Sequence, residues 1–279
     1  ELIVGVNKRL ANGLQFNIDA NFSYATNEVV QVFENAVTRN DPRRSRTGRR
    51  LNAVFGYKSL GLFTTADDKD GNGIIDAADG YNIQQFGTLR PGDIKYADIS
   101  GPNGVPDGKI DSYDEVEIGH PNVPAIIYGI NVGATWKGFD LSALFQGGGM
   151  SHINVYGFMT VAHFNNNSNS SYEYYNNRWT PENQNSKYPR AYSAPTNNNG
   201  QLSDFWLRSS AYLRLKTVTL GYTVPANISS KVAMKNLRFY VTGQNLVTFS
   251  KLKFTDPETP GEQGYPIQKV IMVGLSTSF

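Results

Sequence analysis

The segment Asp68-Lys69-Asp70-Gly71-Asn72-Gly73-Ile74-Ile75-Asp76-Ala77-Ala78-Asp79 places side-chain oxygens at positions 1, 3, 5, 9 and 12 of a twelve-residue loop. Its sixth residue is glycine, and its seventh, Ile74, offers a backbone carbonyl. Hard oxygen donors in this EF-hand register suit calcium, which gathers about six to eight oxygens. Calcium is therefore the expected cofactor, held by Asp68, Asp70, Asn72, Ile74, Asp76 and Asp79. The departure is Asp79 at position 12, where a Glu usually supplies two oxygens. Asp is shorter and must approach closer or bind through one oxygen. The competing reading is a carboxylate-rich turn in a solvated loop. No apolar core is expected within 67–80, so a cation would be what orders it. A weaker second loop follows. Asp107, Lys109, Asp111 and Asp114 fit positions 5, 7, 9 and 12, and Asp98 and Ser100 supply positions 1 and 3 if 101–106 loops out. Its competing reading is an Asx-rich turn.

No organic cofactor and no enzymatic activity are expected. His120, His152 and His163 lack metalloprotease spacing, and no G-x-S-x-G or catalytic triad is legible. Gly147-Gly148-Gly149 is not followed by the Lys-Ser/Thr of a phosphate loop. Arg43, Arg44, Arg46, Arg49 and Arg50 form a basic run. It reads either as a contact for an anionic glycan or nucleic acid, or as a solvated loop pairing with nearby carboxylates. The formal charge of +2 gives no reason to expect a nucleic-acid partner. Cysteine is absent, so neither disulfides nor thiolate metal sites arise.

The elements that must carry these loops show period-two alternation. Leu14, Phe16, Ile18, Ala20, Phe22 and Tyr24 alternate with Gln15, Asn17, Asp19, Asn21 and Ser23. Ile126 to Trp136, Phe139 to Phe145, Leu237 to Val241 and Ile271 to Phe279 repeat the pattern. Between Leu215 and Val218 the phase slips, and a β-bulge at Lys216–Thr217 would restore a single apolar face. Seven long strands are predicted at about 2–9, 14–26, 124–136, 138–149, 209–224, 236–250 and 267–279. All but the first approach or exceed the ~9–11 residues that cross a bilayer. Tight connections at 11–13 and 137–138, and a moderate one at 225–235, alternate with long segments at 27–123, 151–208 and 251–266. Short turns on one side and long loops on the other are the outer-membrane pattern, the long loops being extracellular. Trp136, Phe139, Tyr222, Phe239 and Phe279 would form an aromatic girdle near the short-turn end. A secreted β-sandwich also alternates, but its strands run to only about 5–6 residues.

Several separated stretches carry a family resemblance. They are Ser45-Arg46-Thr47-Gly48-Arg49, Phe55-Gly56-Tyr57-Lys58, Gly61-Leu62-Phe63, Pro91-Gly92-Asp93-Ile94-Lys95-Tyr96, Asp107-Gly108-Lys109-Ile110-Asp111 and Pro121-Asn122. After them come Gly138-Phe139-Asp140-Leu141, Asn177-Arg178-Trp179-Thr180-Pro181, Tyr188-Pro189-Arg190, Leu213-Arg214-Leu215-Lys216 and Gly243-Gln244-Asn245-Leu246. In this order they resemble the C-terminal third of SusC/RagA-type TonB-dependent transporters across nearly the whole chain. The resemblance implies an all-β fold in which residues 1–279 are about seven antiparallel strands of a barrel of about 22 strands. It implies as partners the remaining barrel and plug, a SusD-like surface lipoprotein, TonB acting through a segment outside this stretch, and outer-membrane lipid. The implied function is import of glycans or peptides across the bacterial outer membrane.

The first acidic loop also resembles those of dockerin modules. The alternative function is accordingly a secreted, soluble, β-rich module that binds carbohydrate or mediates adhesion with calcium. Glu1 opens directly into strand-like sequence, so the chain reads as a fragment or a processed piece. The last alternation ends on Phe279, the expected terminal aromatic of a barrel.

Overall fold

The computed structural model describes residues 1–41, 43–164, 168–193, 196–259, 265 and 267–278. Among these, seven strands form one antiparallel sheet in chain order. They are β1 (Leu2–Arg9), β2 (Gln15–Tyr24), β3 (Ile126–Trp136), β4 (Phe139–Gly149), β5 (Tyr212–Thr223), β6 (Lys235–Ser250) and β7 (Val270–Ser278). Every predicted strand is present, with bounds shifted by up to three residues. Phe279 and the predicted end of the sheet at that residue lie outside the described residues.

The registers align the alternation across all seven strands. One row reads Val6, Ile18, Val132, Ala143, Val218, Gly243, Ile271. The row on the opposite face reads Asn7, Asn17, Gly133, Ser142, Thr219, Thr242, Met272. Among the described residues nothing covers the apolar face. Val6, Ile18, Leu220, Val241 and Val273 are all exposed, the last at 81%. An apolar patch of this extent is rare on a soluble monomer.

The predicted bulge is in place. The register of β5 slips between Leu215 and Thr217 against both neighbours, which puts Leu215 and Val218 on the same face. On β6 the same slip is absorbed at Asn245, which takes a left-handed φ of 52°, a conformation Asn tolerates better than most residues. The turns follow their chemistry. Lys137 and Gly138 both have positive φ, 48° and 89°, as a two-residue type I′ hairpin requires. Gly13 (φ 84°) closes the other tight turn.

All long connections leave the same end of the sheet, and they are not independent. Ile94, Tyr96 and Ile110 from the first share one core with Ile153, Val155, Tyr174 and Trp206 from the second and Leu252 from the third. The three long loops thus fold as a single body set on the sheet. The motifs quoted above are its joints. Asp93 of Pro91-Gly92-Asp93 accepts hydrogen bonds from Arg190 Nε at 2.9 Å and Nη2 at 3.3 Å. A Cβ on Gly92 would lie 2.7 Å from the Trp179 ring, so glycine is required where these segments cross. Asn199 Oδ1 accepts from Ile94 N–H at 2.8 Å, and Asn198 Nδ2 donates to Ile94 carbonyl at 2.8 Å. Two side chains therefore replace a missing strand partner.

Candidate functional site

The first acidic loop adopts the turns its sequence requires. Gly71 and Gly73 have φ of 74° and 78°. Asp68 faces inward, its Oδ1 accepting from Gly71 N–H and its Oδ2 from Gly73 N–H, both at 2.9 Å. Asn72 Oδ1 accepts from Ile74 N–H at 2.7 Å. Asp76 caps a short 3-10 turn, Ala77–Asp79, through Ala78 N–H at 2.8 Å. Asp79, only 3% exposed, closes the ring: Oδ1 accepts from Lys69 N–H at 2.5 Å and Asp70 N–H at 3.3 Å, and Oδ2 from Asp76 N–H at 3.1 Å.

Carboxylate oxygens of Asp68, Asp70 and Asp79 lie within 4.8 Å of one another. Asp76 stands outside that group. Asp79 spends three of its roughly four lone-pair sites on backbone donors, so it acts chiefly as a clasp with one site left for a cation. Those donors, led by Asp76 N–H, hold its carboxyl below the usual range. Stabilisation from Asp79 is accordingly present above its ordinary value of 3.8 and lost as pH falls below it.

The second loop repeats the first. Asp98 Oδ2 accepts from Gly108 N–H at 2.7 Å, as Asp68 does from Gly73. Asp107 Oδ1 accepts from Lys109 N–H at 3.0 Å, as Asn72 does from Ile74. Asp111 caps the turn Ser112–Asp114 with φ −150° and ψ −163°, against −149° and −163° at Asp76. Asp114 clasps Ile99, Ser100 and Asp111 N–H as Asp79 clasps Lys69, Asp70 and Asp76. Residues 101–106 loop out, which brings Asp98 against Asp107 N–H and Gly108 N–H. Two features weaken this copy. Lys109 Nζ lies 3.5 Å from Asp111 Oδ2, and among the described residues no three of its acids converge as in the first loop.

Apolar support for 67–80 comes from outside the segment. Ile75 is 3% exposed and packs with Phe63, Leu89 and Tyr81. Ile110, at the same eighth position, enters the main core. Both loops are tied to one strap. Ile75 N–H donates to Leu89 carbonyl at 2.9 Å, and Ile110 N–H to Gln84 carbonyl at 2.8 Å.

The basic run divides. Arg43 pairs with Asp41 at 3.0 Å and Arg49 with Glu117, as a solvated loop predicts. Arg44 instead lies over the Tyr113 ring and Arg46 over Phe55. His120 and His152 stack at 5.3 Å, with His120 N–H donating to His152 Nδ1.

No protein-family model matches the chain. It is 29% identical over 247 residues to TonB-dependent receptor P26 and 27% identical over 213 residues to TonB-dependent receptor P3, both of Formosa agariphila. These alignments cover 83% and 76% of this chain but only 23% and 19% of the receptors, so the chain spans about a fifth to a quarter of their length. The solved RagAB peptide transporter matches over 99% of this chain and 28% of its own, with a TM-score of 0.69 at 20% identity. Its closed-closed state matches with a TM-score of 0.67. At that identity the likeness is one of fold alone: the sheet and its loop body are folded as the matching part of that transporter. The resemblance read from the motifs holds in both sequence and fold.

Proposed function

We propose that this chain forms part of the wall and outer loop body of a TonB-dependent importer in a bacterial outer membrane. The observation that carries the reading is the apolar face continuous over seven strands, bounded by two open strand edges. Lipid suits the face, and the edges require further strands, because an unpaired backbone group in hydrocarbon costs several kcal/mol. A soluble adhesion module would leave both unexplained. The remaining barrel and plug, a SusD-like lipoprotein over the loop body, and TonB acting from the periplasm complete the machine. Glycans or peptides are its cargo.

Orientation is tested with single cysteines in the full-length protein on intact cells. Tyr172, in the second loop, is 86% exposed, and Asn227 lies in the opposite connection. Tyr172→Cys is expected to react with a membrane-impermeant maleimide and Asn227→Cys to stay unlabelled. The reverse result would invert the topology. Asn167, a natural choice from sequence, lies outside the described residues.

Calcium in the first loop belongs to the same reading, with Asp68, Asp70, Asn72, Asp76, Asp79 and the Ile74 carbonyl as its oxygens. The support is the close approach of three carboxylates, which repel without a cation. The second loop is the weaker site. Extracellular modules bind at roughly 10⁻⁴–10⁻³ M. Asp68→Ala with Asp76→Ala is expected to abolish binding to the first loop by calorimetry. Ile75 and its apolar partners still anchor one end, so proteolysis in chelator should be confined to about 68–74. Unchanged calcium uptake in the double variant would reduce the loop to a turn.

A further inference from the structure

The short-turn end of the sheet is charged differently from the rest of the chain. Residues 8–14, 135–140, 222–238 and 275–278 hold six cations, Lys8, Arg9, Lys137, Lys231, Lys235 and Arg238, and a single acid, Asp140. Arg238 pairs with Asp140. The other five are exposed and, among the described residues, enter no ion pair. The chain as a whole carries only +2, so everything beyond these turns is net acidic. At the long-loop end, by contrast, Arg214 and Lys216 are matched by Asp256 and Glu258.

Two of the five belong to the apolar face. Lys8 stands opposite Phe16, in one row with Ala134, Leu141, Leu220, Val241 and Val273. The next row of that face towards the turns is aromatic, with Trp136, Phe139, Tyr222 and Phe239 in register. Lys137 Nζ lies over the Trp136 ring, 4.7 Å from its centroid. A lysine on a lipid-facing strand is costly at the bilayer midplane and nearly free at the interface. There its stem lies on apolar surface while the ammonium reaches the headgroups.

We propose that this rim binds the phosphates of anionic phospholipids in the periplasm-facing leaflet, with Lys8 and Lys137 reaching them from the apolar face. Aromatic rings settle at headgroup depth, and lysines beside them attract anionic lipid. An acidic protein docking from below the turns would meet Arg9, Lys231 and Lys235 but not Lys8, which stands within the apolar face beyond the aromatic row. The choice of leaflet rests on the importer reading, which turns this end to the periplasm.

The test incubates the full-length protein in detergent at low salt with photoactivatable phosphatidylglycerol or phosphatidylethanolamine of equal acyl chains. Crosslinks are mapped by peptide mass spectrometry. Phosphatidylglycerol is expected to label 8–14 and 135–140 in preference to phosphatidylethanolamine. Lys8→Gln with Lys137→Gln, at about fivefold per lysine, should lower the apparent affinity for phosphatidylglycerol roughly twentyfold. Lys251→Gln, at the long-loop end, should leave it unchanged. Heat-modifiable migration must be unaltered in each variant. Equal labelling by the two lipids, a preference that survives in the double variant, or one lost equally in Lys251→Gln would overturn the site. Membrane retention is scored separately. Protein that floats with outer membranes but prefers neither lipid loses the site and keeps the importer; protein recovered in the soluble fraction without detergent loses the importer reading instead.

Discussion

Asp93→Ala is expected to release the first and second long loops from one another. Asp93 is fully buried and accepts from Arg190, from Asn199 Nδ2 at 2.8 Å and from Arg90 N–H at 2.9 Å. Removing it strands a guanidinium, an amide and a backbone donor together. Breaking one side of a buried ion pair costs about 3–5 kcal/mol. Arg190 keeps 20% exposure, which places the cost at the lower end. Asp93→Asn, retaining the shape and one acceptor, should fall between. The readout is limited proteolysis of the full-length protein on intact cells, with cleavage near residues 90 and 190 rising in Asp93→Ala. A variant as resistant as wild type would mean that the shared apolar core alone joins the loops.

The strands were legible because one apolar face and one polar face impose a period of two along every strand. Even the phase slip at Lys216 announced its bulge. The acidic loops were legible because turns demand glycine and Asx residues at fixed offsets. The body between the loops was not. Asp93 and Arg190 are 97 residues apart, and no local periodicity links them. Asn198 and Asn199 sit in the polar run 196–200, yet their amides pair with Ile94 in the core. Ile75 sits in an acidic turn, and Phe63 and Leu89, which cover it, lie outside that turn.

Arg214→Met is expected to unlatch the third long loop while leaving the strands paired. Arg214 is 1% exposed. Its Nη2 donates to Asp256 at 2.6 and 2.8 Å, its Nη1 to Glu258 at 2.7 Å and its Nε to Thr248 Oγ1 at 2.9 Å. Lys216 Nζ donates to the same Glu258 at 2.8 Å, and Tyr212 Oη does so too. Two cations balance two carboxylates, so the cluster is neutral as a whole and costly to divide. Met preserves much of the volume but leaves Asp256 without a cation, a loss of about 3–5 kcal/mol. At 1.4 kcal/mol per tenfold, local opening of 252–259 should rise roughly a hundredfold to a few thousandfold, read by amide hydrogen exchange on the full-length protein. Glu258 keeps Lys216, so exchange should accelerate most around Asp256. Adding Asp256→Leu removes the stranded charge, and exchange should return toward wild type, since a buried pair can be replaced by apolar side chains at little cost. If exchange in Arg214→Met matches wild type, burial of Leu252 in the shared core is what holds the loop down, and the ion cluster is incidental.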